Sequence, residues 1–463
     1  MITSFGGKRV VLLGIARTNI ALARFLVAQG ADVTAYDDKP ADQLRARLDQ
    51  LSGLPIRLAL GGADLAVVDA ADQLFVTPGA SREHPLVRRA AERGLPVASE
   101  IELLFDLCPV PIAAITGSAG KTTTTTLAGE MLRRSGLPTF VGGNIGTPLI
   151  DRLDRLTPDA RVVLELSSYQ LEHLRRGPQV GAILNVTPNH LDRHPSFEHY
   201  RDAKANLIAH QRHGDVAVLG LDDPVAASLV GRGAGRKLFF SLEQPVVEGA
   251  FRHGERLFIA LGDLEGTICR QPEVRLRGEH NVRNVLAAAL IAAVRGASLE
   301  AIREVATTFE GIEHRIEPVR TLDGAAWFND SKATSPAETI AALRSFAEPV
   351  VLLAGGRSKN APLDEMAAEI LARARALIVF GEMADEIEAA IRAAPGGERL
   401  EVRRAPSLAV AVALAREAAR PGDAVLLSPS GASFDAFEDY EHRGRVFKQL
   451  VGALPARAAS GER

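Results

Sequence analysis

One stretch constrains this chain more than any other. Pro111–Ile115 (PIAAI) is a short apolar run, the mark of a buried strand. It leads straight into Thr116-Gly117-Ser118-Ala119-Gly120-Lys121-Thr122, and a helix is expected to start in the threonine run 122–126. Glycines let the backbone bend so that several N–H groups face one anion, and the following helix adds its positive end. Lys121 can reach the outer phosphates of a nucleotide, and the Thr122 hydroxyl can bind Mg²⁺. The common spacing G-x-x-x-x-G-K-[ST] would need glycine at 115, where this chain has Ile115, so the loop is the short variant G-x-x-G-K-T. An ordinary strand-to-helix turn is the bland alternative. The strand before and the helix after favour phosphate binding.

The same alternation recurs on both sides. Arg9–Leu13 and Ala31–Tyr36 read as strands around a helix from Asn19 to Gln29 that stops at Gly30, and the second strand ends in Asp37-Asp38. That is the layout of a nucleotide-binding half-fold. The dinucleotide fingerprint fails, because Ala16 and Asn19 stand where it needs glycine. Further strands are expected at 73–76 and 95–98, and the pattern resets near Ser99. Val162–Leu166, Gly181–Val186 and Val216–Leu219 carry the middle stretch, and 236–275 reads as an antiparallel insertion. A long alanine-rich helix follows from Asn281 to Val294. A third section starts near Ile312, with strands at 326–328, 349–354, 376–380 and 424–427. Recurrent βα order favours parallel sheets with helices on both faces, an α/β fold. The boundaries fall at 1–98, 99–311 and 312–463. No fixed-period repeat or low-complexity block interrupts them.

Composition agrees and excludes. The 463 residues suit about three domains. With 54 Lys+Arg against 57 Asp+Glu, no basic excess points to nucleic acid. The longest apolar run, 285–294, is half a membrane span, and the N-terminal apolar stretch is too short for a secretory signal. Two cysteines, Cys108 and Cys269, cannot build a disulfide framework. The expectation is a soluble, cytoplasmic, mixed α/β protein without membrane or nucleic-acid partners, and composition says nothing of its chemistry.

A phosphate loop that does chemistry needs an acid for its metal. Glu165 ends a β-branched run and precedes the polar Ser167-Ser168-Tyr169-Gln170, which favours a metal role over a solvent-facing strand residue. His190 and His194 have H-x-x-x-H spacing, but Leu191 stands where a zinc protease needs glutamate, and Pro188 and Pro195 bracket the segment. A phosphate-side or metal-side histidine fits better than zinc, and a hydrogen-bonding surface histidine is an equal alternative from the bare sequence. In the third section, loops 329–335 (NDSKATS), 355–359 (with Lys359) and 428–433 (SPSGAS) each follow a strand, so they should converge at one sheet edge, where α/β sheets bind ligands.

Eight motifs occur in order: GSAGKTT at 117–123, GGNIGTP at 142–148, ELSSYQLE at 165–172, LNVTPNHLDRH at 184–194, GEHNVRN at 278–284, EHR at 313–315, NDSKATSP at 329–336 and LLSPSGASFDAFEDYEHRG at 426–444. Together they resemble the Mur ligases of cell-wall synthesis, over nearly the whole chain, and most of all the branch that adds D-glutamate. The resemblance implies a Rossmann-like N-terminal domain for the UDP-substrate, a central P-loop ATPase-type domain and a Rossmann-like C-terminal domain that closes on it. It implies ATP-driven amide synthesis: UDP-N-acetylmuramoyl-L-alanine is activated as an acyl phosphate and then joined to D-glutamate by a monomeric enzyme with two Mg²⁺ ions.

By the same resemblance, Gly117, Ser118, Ala119, Gly120, Lys121, Thr122 and Thr123 hold the ATP phosphates. Thr122, Glu165, His190 and Lys204 serve the metals, Lys204 as a carbamylated lysine. Asn284 meets adenine, Asp330 the ribose, and Arg315 and Lys332 the phosphates. Lys121, Glu165, His190, Lys204 and Lys332 form the catalytic set. Arg17, Thr18, Asp37, Asp38 and Asn144 belong to the UDP-substrate, and Thr334, Lys359, Ser433 and Tyr440 to the amino acid. Three departures stand out: Ala119 where many relatives have Asn, Tyr440 where Phe is common, and a first loop, GIARTN, without its later glycines. The D-N-P-R motif of ligases that add diaminopimelate or lysine is missing. The βαβ unit at 9–37 disfavours a folylpolyglutamate synthetase. A non-catalytic phosphate-binding protein would not need Lys121, Glu165, His190, Lys204 and Lys332 together. The hand of the glutamate depends on pocket geometry rather than on a motif.

Overall fold

The computed structural model describes residues 4–456 except 63, 82, 190–192 and 359–360. Its strands form three sheets, gathered into two compact units: residues 1–274 with 280–308, and residues 275–279 with 309–463.

In the first unit, β1 (Arg9–Leu13), β2 (Asp32–Asp37), β3 (Ile56–Leu60), β4 (Gln73–Val76) and β5 (Val97–Ser99) make a parallel sheet in the order β3-β2-β1-β4-β5. Helix Arg17–Ala28 covers it, burying Ile20, Ala21, Leu22, Ala23 and Leu26. It starts two residues before the apolar periodicity does. Near Ser99 the expected reset is a capping box. The Ser99 hydroxyl accepts from the Glu102 amide, and the Glu102 carboxylate accepts from the Ser99 amide, which starts helix Glu100–Leu107.

The second sheet comprises β6 (Ile112–Thr116), β7 (Thr139–Gly143), β8 (Arg161–Glu165), β9 (Val180–Ile183), β10 (Val216–Gly220), β11 (Arg236–Ser241), β12 (Gly249–His253), β13 (Arg256–Leu261) and β14 (Leu264–Arg270). Its order is β14-β13-β12-β11-β10-β9-β6-β8-β7. The antiparallel expectation for 236–275 needs correction. β11 pairs parallel with both β10 and β12, and only the β12–β13 and β13–β14 pairs are antiparallel. Helix Pro224–Ser228 between β10 and β11 returns the chain to the starting edge, which makes the next strand parallel. An apolar core continues through this unit from Phe5 to Leu229.

The second unit holds β15 (Glu317–Leu322), β16 (Ala325–Asn329), β17 (Val350–Gly355), β18 (Ala374–Phe380), β19 (Glu401–Ala405) and β20 (Ala424–Ser430), in the order β15-β16-β20-β17-β18-β19. All neighbours are parallel except the β15–β16 pair. Strand alternation sends Val351, Leu353 and Leu427 to one face, with Ala411, Val412 and Phe447 of covering helices. Leu352, Leu377 and Leu426 go to the other, with Ile340, Ile370 and Ile387. Each fully buried aliphatic side chain contributes about 1.5–3 kcal/mol, which is why β17 and β20 read as continuous apolar runs. Among the described residues no helix is long and apolar enough to cross a membrane.

Candidate active site

Register brings the first set of residues together. Ile115 of β6 lies level with Glu165 of β8, and Thr116 lies level with Ile183 of β9. The phosphate loop, Glu165 and the segment after β9 therefore leave the sheet side by side.

The loop is held by that segment. The Ser118 amide donates to the Asn185 carbonyl at 2.9 Å. The Asn185 side chain reads the Ala119 backbone twice, accepting from its N–H at 2.9 Å and donating to its carbonyl at 3.1 Å. The Ser118 hydroxyl donates to the Thr187 carbonyl and accepts from the Thr187 amide, both at 2.9 Å, which leaves Tyr200 to donate its hydroxyl proton to the same oxygen at 3.0 Å. This explains why β9 ends at Ile183 rather than at Val186, as the apolar run predicts: the next residues bond to the loop. Gly120 precedes helix Lys121–Arg134 with φ +82°, and a Cβ there would stand 2.3 Å from the Asn284 side-chain oxygen. Asn284 also accepts from the Thr124 hydroxyl at 3.3 Å, so it rests against the start of this helix. Lys121 Nζ folds back onto the carbonyls of Gly117 (3.0 Å) and Ser118 (3.1 Å). With the Ser118 and Ala119 amides engaged by Asn185, the helix's first turn, Lys121–Thr123, supplies the donor end for an anion.

Glu165 is 2% exposed. Its Oε1 accepts from the Asn144 side chain at 2.8 Å and its carbonyl from the Asn144 amide at 2.8 Å, while Oε2 is buried without a partner. Gly143, at φ +90°, allows this approach, since a Cβ there would stand 2.2 Å from the Glu165 carbonyl oxygen. Lys204 lies on helix Phe197–Ala209 and is 1% exposed. Its Nζ donates to the Gly117 carbonyl at 2.9 Å and sits 4.6 Å from the Tyr200 ring centre. Burial, aided by the Lys121 charge and opposed by Glu165, drives its pKa well below the usual lysine range. His194 is buried against Tyr169 and bonds to Ser168 at 2.9 Å, a packing role rather than a ligand's. His190 lies outside the described residues.

Where β1 and β2 end, Asp37 is buried and accepts from the Ile15 and Lys39 amides at 2.8 and 3.0 Å, pinning the first loop. Asp38 is held by Tyr36 (3.3 Å) and His84 (2.9 Å). Thr18 is buried, and Arg17 donates to the carbonyls of Gly146 (2.8 Å) and Asn144 (3.2 Å). The missing glycines of this loop are answered by Asn19, whose side-chain amide donates to the Leu13 and Gly14 carbonyls at 2.8 and 2.9 Å.

In the second unit, Asp330 follows β16 and is 5% exposed. It accepts from the Ser428 hydroxyl at 2.8 Å and the Ile316 amide at 3.2 Å, and burial raises its pKa from 3.8 to about 7. Arg315 has a buried Nε without a partner, and its charge opposes the Asp330 shift. Lys332 donates its amide to the His314 carbonyl at 3.0 Å, Thr334 its amide to Glu338 at 2.9 Å, and Ser433 is buried. Tyr440 opens the last helix. Lys359 lies outside the described residues. His314, Ile316 and Ser430, all beside these loops, have φ of +66°, +44° and +67°, strain of the kind found at functional sites.

Sequence reasoning missed the clasp of this edge. Arg443 is fully buried, donating to the Ser331 hydroxyl (3.0 Å), the Ser331 carbonyl (2.9 Å) and the Gly431 carbonyl (3.2 Å). It ties the loop after β16 to the loop after β20, and burial lowers its pKa to about 10. It lies within the 426–444 motif, but a lone arginine near a C-terminus reads as a surface residue.

Comparisons with known proteins match three models in succession: "Mur ligase MurD-like, N-terminal domain" over 8–99, "Mur ligase middle domain" over 115–292 and "Mur ligase, glutamate ligase domain" over 314–431. A UDP-N-acetylmuramoylalanine--D-glutamate ligase of Symbiobacterium thermophilum is 46% identical, covering 96% of this chain and 98% of its own. One of the same name from Pelotomaculum thermopropionicum is 41% identical over 98% and 99%. Among solved structures, UDP-N-acetylmuramate-alanine ligase of Thermotoga maritima shares the fold with a TM-score of 0.61 at 17% identity, over 96% of this chain and 99% of that one.

Proposed function

The chain belongs to the Mur ligase family, and from that premise we propose that it joins D-glutamate to UDP-N-acetylmuramoyl-L-alanine, driven by ATP, in peptidoglycan precursor synthesis. The observation that carries this reading is near-full-length identity of 46% to a ligase of that name. The chemistry follows from the reactants. A carboxylate is a poor electrophile until one oxygen becomes part of a leaving group. The L-alanyl carboxylate attacks the γ-phosphorus, the bond to ADP breaks, and an acyl phosphate forms. The glutamate amine then attacks the acyl carbon, phosphate leaves, and the amine proton passes to solvent.

Such transfers rely on positioning and on charge set against the phosphoryl oxygens. The first turn of helix Lys121–Arg134, with Lys121, would hold the β- and γ-phosphates. Asn284 would meet adenine, and Asp330, Arg315 and Lys332 the ribose and phosphates. Arg17, Thr18, Asp37, Asp38 and Asn144 would serve the UDP-substrate, and Thr334, Lys359, Ser433 and Tyr440 the glutamate. Residues suited to Mg²⁺ stand beside the loop. Glu165 has a buried oxygen without a partner, Thr122 has a hydroxyl, and Lys204 is buried against Gly117; with His190, which the family resemblance adds, they would make a set for two ions. Bound Mg²⁺ would supply positive charge to the phosphates. A buried Lys204 kept unprotonated has a free lone pair to attack CO₂, losing a proton to give a carbamate. The carbamate's negative charge would then attract Lys121 and the second ion, where a protonated lysine would repel them. We read the enzyme as a cytoplasmic monomer.

The test is direct. Purified protein with ATP, Mg²⁺ and UDP-N-acetylmuramoyl-L-alanine should release phosphate when D-glutamate is added. Release with L-alanine, lysine or diaminopimelate instead would refute the reading.

A further inference from the structure

Arg17 does something in this structure that no role in substrate binding requires. It is the first residue of helix Arg17–Ala28, on the β1 side of the first unit. Its guanidinium crosses to the turn after β7, donating to the Gly146 carbonyl at 2.8 Å and the Asn144 carbonyl at 3.2 Å. Asn144 in turn holds Glu165 twice. Its backbone N–H donates to the Glu165 carbonyl and its side-chain amide to Oε1, both at 2.8 Å. The other carboxylate oxygen, Oε2, is buried with no partner. A carboxylate clamped through one oxygen, with the other left over in a dry environment, is fixed in rotation and ready for a cation. The clamp is only as firm as the turn that carries Asn144. That turn is compact by necessity, because Gly143 adopts φ +90° and a Cβ there would collide with the Glu165 carbonyl. Two hydrogen bonds from one planar guanidinium to alternate carbonyls of the turn hold it as a lysine could not.

We propose that Arg17 is a positioning residue for Glu165: it holds the 144–146 turn, so that Asn144 orients the carboxylate toward a divalent cation, and thereby ties the substrate-domain helix to the metal site. The inference rests on the reading of Glu165 as a metal ligand given above. Groups that orient metal ligands are typically worth ten- to a hundredfold in affinity or activity.

The experiment compares the full-length wild type with R17A, R17K, N144A and the R17A/N144A double variant. Mn²⁺ binding in the presence of a non-hydrolysable ATP analogue is measured by electron paramagnetic resonance, without UDP-substrate. Amide exchange of 143–147 and KM for the UDP-substrate are measured in parallel. Thermal melts confirm that each variant is folded. R17A should weaken Mn²⁺ binding about tenfold and speed exchange in 143–147, with R17K recovering part of the loss. N144A should weaken Mn²⁺ to a similar degree, and the R17A/N144A double variant should lose little more than either single one, as expected of two links in one chain. Unchanged Mn²⁺ affinity in R17A overturns the proposal. A raised KM for the UDP-substrate with Mn²⁺ affinity intact also overturns it and makes Arg17 a substrate contact. A wild type that binds Mn²⁺ with the analogue but releases no phosphate with D-glutamate refutes the ligase reading, while the Mn²⁺ comparison still decides the role of Arg17.

Discussion

After β6 the chain enters its helix through Gly117, Ser118, Ala119 and Gly120; after β1 it does so through Gly14, Ile15 and Ala16. Both turns sit at the end of a parallel strand, and each contains a glycine at positive φ, Gly120 at +82° and Gly14 at +88°. Beyond that they diverge. The turn after β6 offers mostly its main chain: its own amides and carbonyls, with the Ser118 hydroxyl, bond to the strand-end segment 184–187 and to the Asn185 side chain, and its own side chains are small. The turn after β1 has one glycine and is finished by side chains. Asn19 bonds back to the Leu13 and Gly14 carbonyls, Asp37 takes the Ile15 amide, and Arg17 reaches out. Each is neighboured by a buried ionisable group of opposite type, Lys204 at the first and Glu100 at the second. The lesson is that a glycine-rich turn can be replaced by a side-chain-braced one, at the cost of making its stability depend on particular residues.

The largest effect that would break this contrast is expected at Gly120. G120A forces a non-glycine residue to φ +82° and pushes on Asn284, which is itself tied to Thr124. Strain of about 1–3 kcal/mol, set against nucleotide binding, corresponds to a rise in KM for ATP of roughly five- to 150-fold, with KM for the UDP-substrate little changed. A normal KM for ATP would mean that the turn is not backbone-built. Next comes N19A. It removes the side-chain donor from the Leu13 carbonyl, which keeps the Thr77 amide, and from the partly buried Gly14 carbonyl, so urea denaturation should show a loss of about 0.5–1.5 kcal/mol per bond. Here KM for the UDP-substrate should rise while KM for ATP holds. The smallest effect is a pH slope. Burial, with the charge of Asp151, raises the Glu100 pKa from 4.5 to about 8, against the pull of Arg17. Between those values the native state binds more protons than the unfolded chain. This contribution is therefore present below pH 4.5 and lost as pH rises to about 8. E100Q should flatten that part of the stability curve. Lys204 acts with the opposite sign, since its native state binds fewer protons. An E100Q curve parallel to wild type would show that Glu100 titrates normally.

Central strands were legible in the sequence because burial on both faces leaves them continuously apolar. The strands that gave no clear signal, β3, β7, β15 and β19, all lie at sheet edges, and their partial exposure dilutes the pattern. The phosphate loop and the loops after β16 and β20 were legible because small and polar residues break apolar runs. Lys204 was not: RDAKANL has the look of a solvated helix, and its burial comes from Tyr200 and from Gly117, 87 residues away. Arg443 and Asn19 were hidden for the same reason, since their partners are carbonyls, which every residue type offers alike. The direction of β11 depended on the crossover before it rather than on its own composition.

One detail of the phosphate loop has a practical side. Asn185 grips residue 119 solely through its main chain, and the Ala119 side chain is exposed. The two native thiols are poor competitors for a labelling reagent. Cys108 is partly buried and donates to the Val110 carbonyl, and Cys269 is 5% exposed with its pKa up to about 12. A119C would therefore place an accessible attachment point on the lip of the proposed nucleotide site. A fluorophore there would report occupancy in real time in an otherwise unaltered chain.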